Sequence, residues 1–122
     1  MLRARPPHLR QGEAAEATAC QHLKQQGMTV VARNYRSPHG EIDLIMQEDQ
    51  TLVFVEVRYR RSLGFGHPAE TIDARKQQRL RATAEHYLQR QPRGSKQACR
   101  FDIVAVSADG DTTRVEWVAN AF

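Results

Sequence analysis

The chain of 122 residues carries 18 Lys and Arg against 14 Asp and Glu, a net charge of +4, and 40% of it is hydrophobic. That is one domain's worth of chain, with apolar material for a single core and no need of disulfides or a structural metal to hold it. Its longest unbroken apolar runs are four residues, Leu52 to Val55 and Ile103 to Val106, against the ~20 that a membrane-spanning helix requires.

The basic start, MLRARPPHLRQ, leads into GEAAEATACQ rather than an apolar stretch, so it lacks the middle of a secretory signal and a cytoplasmic protein is expected. Cys20 and Cys99 stand far apart without CxxC spacing, which argues against a disulfide framework and a zinc ribbon. Charge is unevenly spread: residues 1–57 sum to −1, residues 58–100 to +8 and residues 101–122 to −3. Fifteen of the basic residues are Arg, the side chain suited to bidentate phosphate contact and base stacking. Nucleic acid is therefore the leading partner class.

Residues 1–11 read as a flexible basic segment ahead of one domain, 12–122. A first helix is predicted from Gly12 to Gly27, with Ala15, Ala19 and Leu23 at a spacing of four, Glu13 and Glu16 near its N-terminus and Gly27 as C-cap. Met28–Asn34 reads as a strand, followed by the turn Ser37, Pro38, His39, Gly40; Glu41–Gln47 and Leu52–Arg60 complete an antiparallel meander. Arg61–Ala69, with two glycines and a proline around Phe65, reads as a mobile flap. A second helix is predicted from Thr71, as cap, to about Arg90, with Ile72, Leu80, Ala84, Tyr87 and Leu88 inward and Arg75, Lys76, Arg79 and Arg81 on or near the other face. Arg100–Ser107 and Thr113–Ala119 follow as strands. The order α, β, β, β, α, β, β, with a helix crossing between strands, predicts an α/β fold: a mixed four- or five-stranded sheet flanked by helices.

The strongest local signal is GEIDLI, residues 40–45, with FVEVRYR at 54–60. Strand alternation puts Glu41 and Asp43 on one face and Ile42 and Leu44 on the other. In the next strand Leu52, Phe54, Glu56 and Arg58 share one face, while Val53, Val55, Val57 and Tyr59 form an apolar set opposite. Glu56 then sits where core gives way to solvent, and a carboxylate there costs several kcal/mol unless paired or bound to a cation. Two carboxylates from adjacent strands, Asp43 and Glu56, offer a hard divalent cation such as Mg²⁺ oxygen ligands with positions left for water and phosphate. The plainer alternative pairs them with Arg33, Arg36 or Arg58 in salt bridges.

Asp43 followed by Glu56-Val57-Arg58 resembles the PD-(D/E)xK pattern of restriction-endonuclease-like nucleases. More closely, Gly12 through Glu16, Leu23, the RNYR at 33–36, GEIDLI, LVFVEVRYR, the Phe65-Gly66 loop, Lys76 and RFDIVAV at 100–106 look like the small bacterial YraN family, which is similar in fold to archaeal Holliday-junction resolvases. The resemblance covers roughly residues 12–107. It implies a restriction-endonuclease-like αβββαβ core and a metal-dependent endonuclease acting on DNA, branched DNA included. It also implies Mg²⁺ or Mn²⁺ held by Asp43 and Glu56 with help from Glu16, and a homodimer. Arg58 stands where the pattern has Lys: it keeps the charge but, with a pKa above ~12, cannot carry a proton. Lys76 is a candidate substitute, and Arg60, Arg61, Arg75, Lys76 and Arg79 are the expected phosphate contacts. A catalytically inactive module of the same fold, holding nucleic acid or a protein partner, is the alternative.

The five histidines show neither HxH nor HxxxH spacing, Ser95 and Ser107 lack a nucleophile elbow, and Asp102 reads as a structural partner for Arg100 or a further site carboxylate.

Overall fold

The computed structural model describes residues 7–60 and 72–122. Helix α1 spans Pro7–Gln25, five residues longer at its start than the periodicity from Gly12 suggests; a proline suits the first helical position, where its fixed φ is already helical and its missing N–H is not needed. Ala15, Ala19, Cys20 and Leu23 are buried. The helix ends where Gly27 adopts φ 97° and the Met28 N–H reaches back to the Leu23 carbonyl, 3.1 Å, a left-handed C-terminal cap.

Five strands follow: β1 (Thr29–Ser37), β2 (Gly40–Glu48), β3 (Thr51–Arg60), β4 (Cys99–Asp109) and β5 (Thr112–Val118), in the spatial order of the sequence. All neighbours are antiparallel except β3 and β4, which run parallel through a crossover that contains helix α2, Ala74–Gln89. The sheet is mixed and five-stranded, with a helix on each face. Against α1 lie Leu44, Met46, Val53, Val55, Val104 and Val106; against α2 lie Ile42, Ile45, Leu52, Phe54 and Phe101, packed on Leu80, Ala84, Tyr87 and Leu88. Leu52 to Glu56 are buried without interruption, as the apolar pattern of a central strand predicts.

Helix α2 begins at Ala74 because Asp73 caps it: the Asp73 Oδ1 accepts a 2.8 Å hydrogen bond from the Lys76 N–H, and a carboxylate is at least as good an N-cap as a threonine hydroxyl. Thr71, Arg61, the flap and the Phe65-Gly66 loop lie outside the described residues, as do residues 1–6 of the N-terminal segment. Among the described residues no helix is long and apolar enough to cross a membrane.

The alternation expected of β2 fails at one place. Ile42 belongs to the α2 layer and Leu44 to the α1 layer, so the two do not share a face. The cause is in the partner strand. Opposite Asp43, between the pairs Arg33↔Leu44 and Tyr35↔Ile42, stands Asn34 with φ 51°. A left-handed residue inside a strand rotates the chain that follows it, and both strands change face at this pair.

Candidate functional site

The kink at Asn34 and Asp43 coincides with the end of the β2–β3 ladder, whose last pair on this side is Leu44↔Val55. Beyond it the strands part, and the Asp43 side chain takes over a bond that the ladder no longer makes: its Oδ2 accepts from the Val57 N–H at 2.8 Å. The carboxylate thus sits in the gap between two strands, close to the carboxylates that approach it from either side.

On the α2 side the gap opens into a cleft of about 510 Å³ lined by the turn Ser37 to Gly40 together with Glu41, Asp43, Glu56, Lys76, Arg79 and Leu80. Glu56 is only 8% exposed, and the Lys76 Nζ lies 3.0 Å from its Oε1. The turn packs on α2 through Gly40, whose φ of 151° is one that side-chain-bearing residues rarely adopt, and Ser37 Oγ reaches the Thr83 hydroxyl at 3.2 Å. On the α1 side Glu16 and Glu41 meet Asn34. Carboxylates accept and do not donate, so the Asn34 amide nitrogen faces both, 3.2 Å from Glu16 Oε2 and 3.1 Å from Glu41 Oε1.

Burial pushes the Asp43 carboxyl up to about 7, and the nearby Glu56 adds to the rise, more than the Val57 hydrogen bond offsets. Burial also raises the Glu16 carboxyl, with Glu41 second. An acid that holds its proton near neutrality because it is desolvated and crowded by other acids is an incomplete arrangement, one that a cation would complete. Two carboxylates in one cleft fit Mg²⁺ or Mn²⁺, which take one or two carboxylates and fill their remaining positions with water and phosphate oxygens. Among the described residues no three His, Cys, Asp or Glu side chains group as a ready-made metal site.

Asp43, Glu56, Lys76 and Arg79 therefore share one cleft. Glu16 comes from the opposite face of the sheet through Asn34. Arg58 and Arg60 are half-buried along β3 beyond Glu56, and Arg75 is exposed on α2; none of the three lines the cleft. Glu56 pairs with Lys76 and Arg36 sits 3.7 Å from Glu41, neither of which is the pairing of Asp43 or Glu56 with Arg33, Arg36 or Arg58 that the plainer alternative offers. Asp102 is a structural residue. Its carboxylate accepts from Arg100 Nε at 3.0 Å, Trp117 Nε1 at 2.9 Å and the Asn120 N–H at 2.9 Å. Sequence reasoning missed Asn34; the signal was an Asn within a strand pattern, since Asn is several-fold enriched at positive φ.

Residues 15–106 match the family described as "Uncharacterised protein family UPF0102". The chain belongs to that family. It is the family resembled under the name YraN, and the likeness extends over nearly the whole chain. A UPF0102 protein of Stutzerimonas stutzeri is 46% identical over 111 residues, covering 91% of this chain and 92% of the relative. One from Coxiella burnetii is 49% identical over 111 residues, covering 91% and 90%, and one from Pseudomonas entomophila is 47% identical over 112 residues, covering 91% of each. This UPF0102 chain and those relatives thus align over about nine-tenths of each chain.

Proposed function

We propose that this UPF0102 protein is a metal-dependent endonuclease acting on DNA phosphodiesters, branched DNA among them. The observation that carries the reading is the cleft in which the crowded acids Asp43 and Glu56 face the cations Lys76 and Arg79. The acids suit a divalent cation and the cations suit the phosphate such a cation would act upon. The PD-(D/E)xK and resolvase resemblance supports the same assignment, and the +8 stretch between Arg58 and Arg100 supplies charge for backbone contact.

Asp43 and Glu56 would hold Mg²⁺ or Mn²⁺, which when bound supplies Lewis acidity toward the phosphodiester and toward water. Burial keeps the Asp43 carboxylate short of compensating charge, so it favours a cation over solvation. Lys76 and Arg79 project from successive turns of α2 and hold phosphate oxygens. Arg58, on the Glu56 face of β3, adds a positive charge but moves no proton. Glu16, held by Asn34, adds negative charge behind Asp43.

A second reading has one specific observation in its favour: Lys76 already neutralises Glu56 at 3.0 Å, and Arg58 stands in the place of lysine, as in a module that binds nucleic acid without cutting it. Incubation with branched, duplex and single-stranded DNA plus Mg²⁺ or Mn²⁺ separates the two. Metal-dependent cleavage by the wild type that disappears in both Asp43→Asn and Glu56→Gln supports the nuclease. Binding without cleavage under either metal selects the module. Cleavage that survives either substitution belongs to a contaminant and removes the assignment. The homodimer implied by the resemblance is tested on the same samples by sedimentation.

A further inference from the structure

The contact between Lys76 and Glu56 has a consequence for how the cleft fills. Glu56 is almost buried, and the ammonium on its Oε1 at 3.0 Å is itself about two-thirds covered, with side-chain exposures of 35% for Lys76 and 10% for Glu56. A pair shielded to this degree is screened less by salt than a surface pair. Asp43, in the same cleft, accepts from the Val57 N–H, and the charges that raise its carboxyl are those of Glu56, Glu16 and Glu41. The two acids are therefore unequal: one is already occupied by a cation tethered to the chain.

We propose that Lys76 is a latch on Glu56, released by a nucleic-acid phosphate, so that divalent metal and nucleic acid bind to this cleft cooperatively. The inference rests on the function proposed above and assigns the coupling between its two ligands. A metal ion held by Asp43 and Glu56 would have to compete with the Lys76 ammonium for Glu56. Phosphate competes for the same ammonium from the other side. The Lys76 backbone is fixed in the first turn of α2 by the Asp73 cap, whereas its four-carbon stem ends in a compact charge with freely turning donors, so release needs only a side-chain rotation. Arg79, three residues on and lining the same cleft, stands where it would share the phosphate. Because linkage is reciprocal, nucleic acid that draws Lys76 away must tighten metal binding by the factor by which metal tightens nucleic-acid binding.

The test is Mn²⁺ binding to the full chain, followed by the electron paramagnetic resonance of free Mn²⁺, with and without a short DNA duplex. The Asp43→Asn, Glu56→Gln double variant reports the Mn²⁺ held by the duplex and by the rest of the surface. Lys76→Met is expected to bind Mn²⁺ about tenfold more tightly than the wild type without DNA, within the usual range of coupling between sites. DNA should close most of that gap in the wild type and add little in Lys76→Met. Lys24→Met, which removes an exposed lysine of α1 that does not line the cleft, should leave both the Mn²⁺ affinity and the DNA effect as they are in the wild type. Equal affinity of wild type and Lys76→Met, both above the double variant, overturns the latch and leaves the metal site standing. A DNA effect of the same size in both also overturns the latch. Binding by wild type and Lys76→Met no stronger than by the double variant overturns the metal reading itself, and the latch with it.

Discussion

Two aspartates, Asp102 buried and Asp43 half-buried, stand on neighbouring sides of the central strand β3 and live in opposite circumstances. Asp102, 1% exposed, is surrounded by donors: the Arg100 guanidinium, which also reaches Glu48 at 3.0 Å, the Trp117 indole and the Asn120 backbone. Asp43 accepts from the Val57 N–H and has the company of Glu56, Glu16 and Glu41. Both carboxylates left water on folding, but only one was given back what water supplied. A buried charge with its full set of donors holds structure together, whereas one left short of them keeps a stored preference for a ligand. The difference separates the structural acid from the candidate site acid without reference to any reaction.

The largest effect expected from this contrast is at the satisfied acid. Asp102→Ala strands a half-buried guanidinium, an indole N–H and a backbone N–H, and removal of one partner from such a network costs about 3–5 kcal/mol. Urea unfolding at pH 7 reads this as a drop in midpoint at an unchanged slope. A loss below about 1 kcal/mol would mean that Asp102 does not anchor the β4–β5 end of the sheet, and the contrast would fail.

Asp43 should behave in the opposite sense. Its carboxyl titrates near 7 in the folded chain against 3.8 when unfolded, so between these values the folded state holds the proton more tightly. Stability is complete below about pH 4 and falls as the pH rises through the window to 7, because the charged form is the one that burial and Glu56 penalise. Asp43→Asn keeps an oxygen for the Val57 N–H and never ionises. It should match the wild type at pH 4 and exceed it by about 1–3 kcal/mol at pH 8, a figure bounded by the shift itself. Urea midpoints of the two proteins at pH 4, 6 and 8 check the slope. An Asp43→Asn variant less stable than the wild type at pH 8 would move Asp43 into the class of Asp102.

Most of the fold could be read before the structure was known because its signals are periodic. The four-residue spacing of Ala15, Ala19 and Leu23, the unbroken apolar stretch from Leu52 to Val55 and the face of Leu80, Ala84, Tyr87 and Leu88 each follow from burial on one side or two, and each is where the structure has it. The β3 faces were legible for the same reason. What was not legible is what breaks a period. Ile42 and Leu44 separate because of the backbone angle of Asn34 on another strand, and no pattern within GEIDLI records it. The partner of Lys76 was likewise set by a contact across 20 residues, to Glu56, whereas Asp102 is the partner of Arg100 that its sequence neighbourhood suggested. Asp43 and Glu56 line one cleft, but the way Asp43 enters it, through the gap where β2 leaves β3, came from the partner strand.

Asn34 offers the finest division of the comparison, because its two properties can be removed one at a time. Its left-handed backbone turns both strands at the Asp43 level, and its amide ties Glu16 on α1 to Glu41 on β2. Asn34→Gly keeps the backbone, since glycine adopts φ near 51° freely, and deletes the amide; an exposed tether of this kind contributes about 0.5–1 kcal/mol. Asn34→Ala deletes the amide and adds the left-handed cost of about 1–2 kcal/mol for a residue with a Cβ and no polar group to offset it. The gap between the two variants isolates the strain at the kink. If Asn34→Ala is no less stable than Asn34→Gly, the chain straightens without penalty, Ile42 and Leu44 regain a common face, and Asp43 loses the position between the strands that distinguishes it from Asp102.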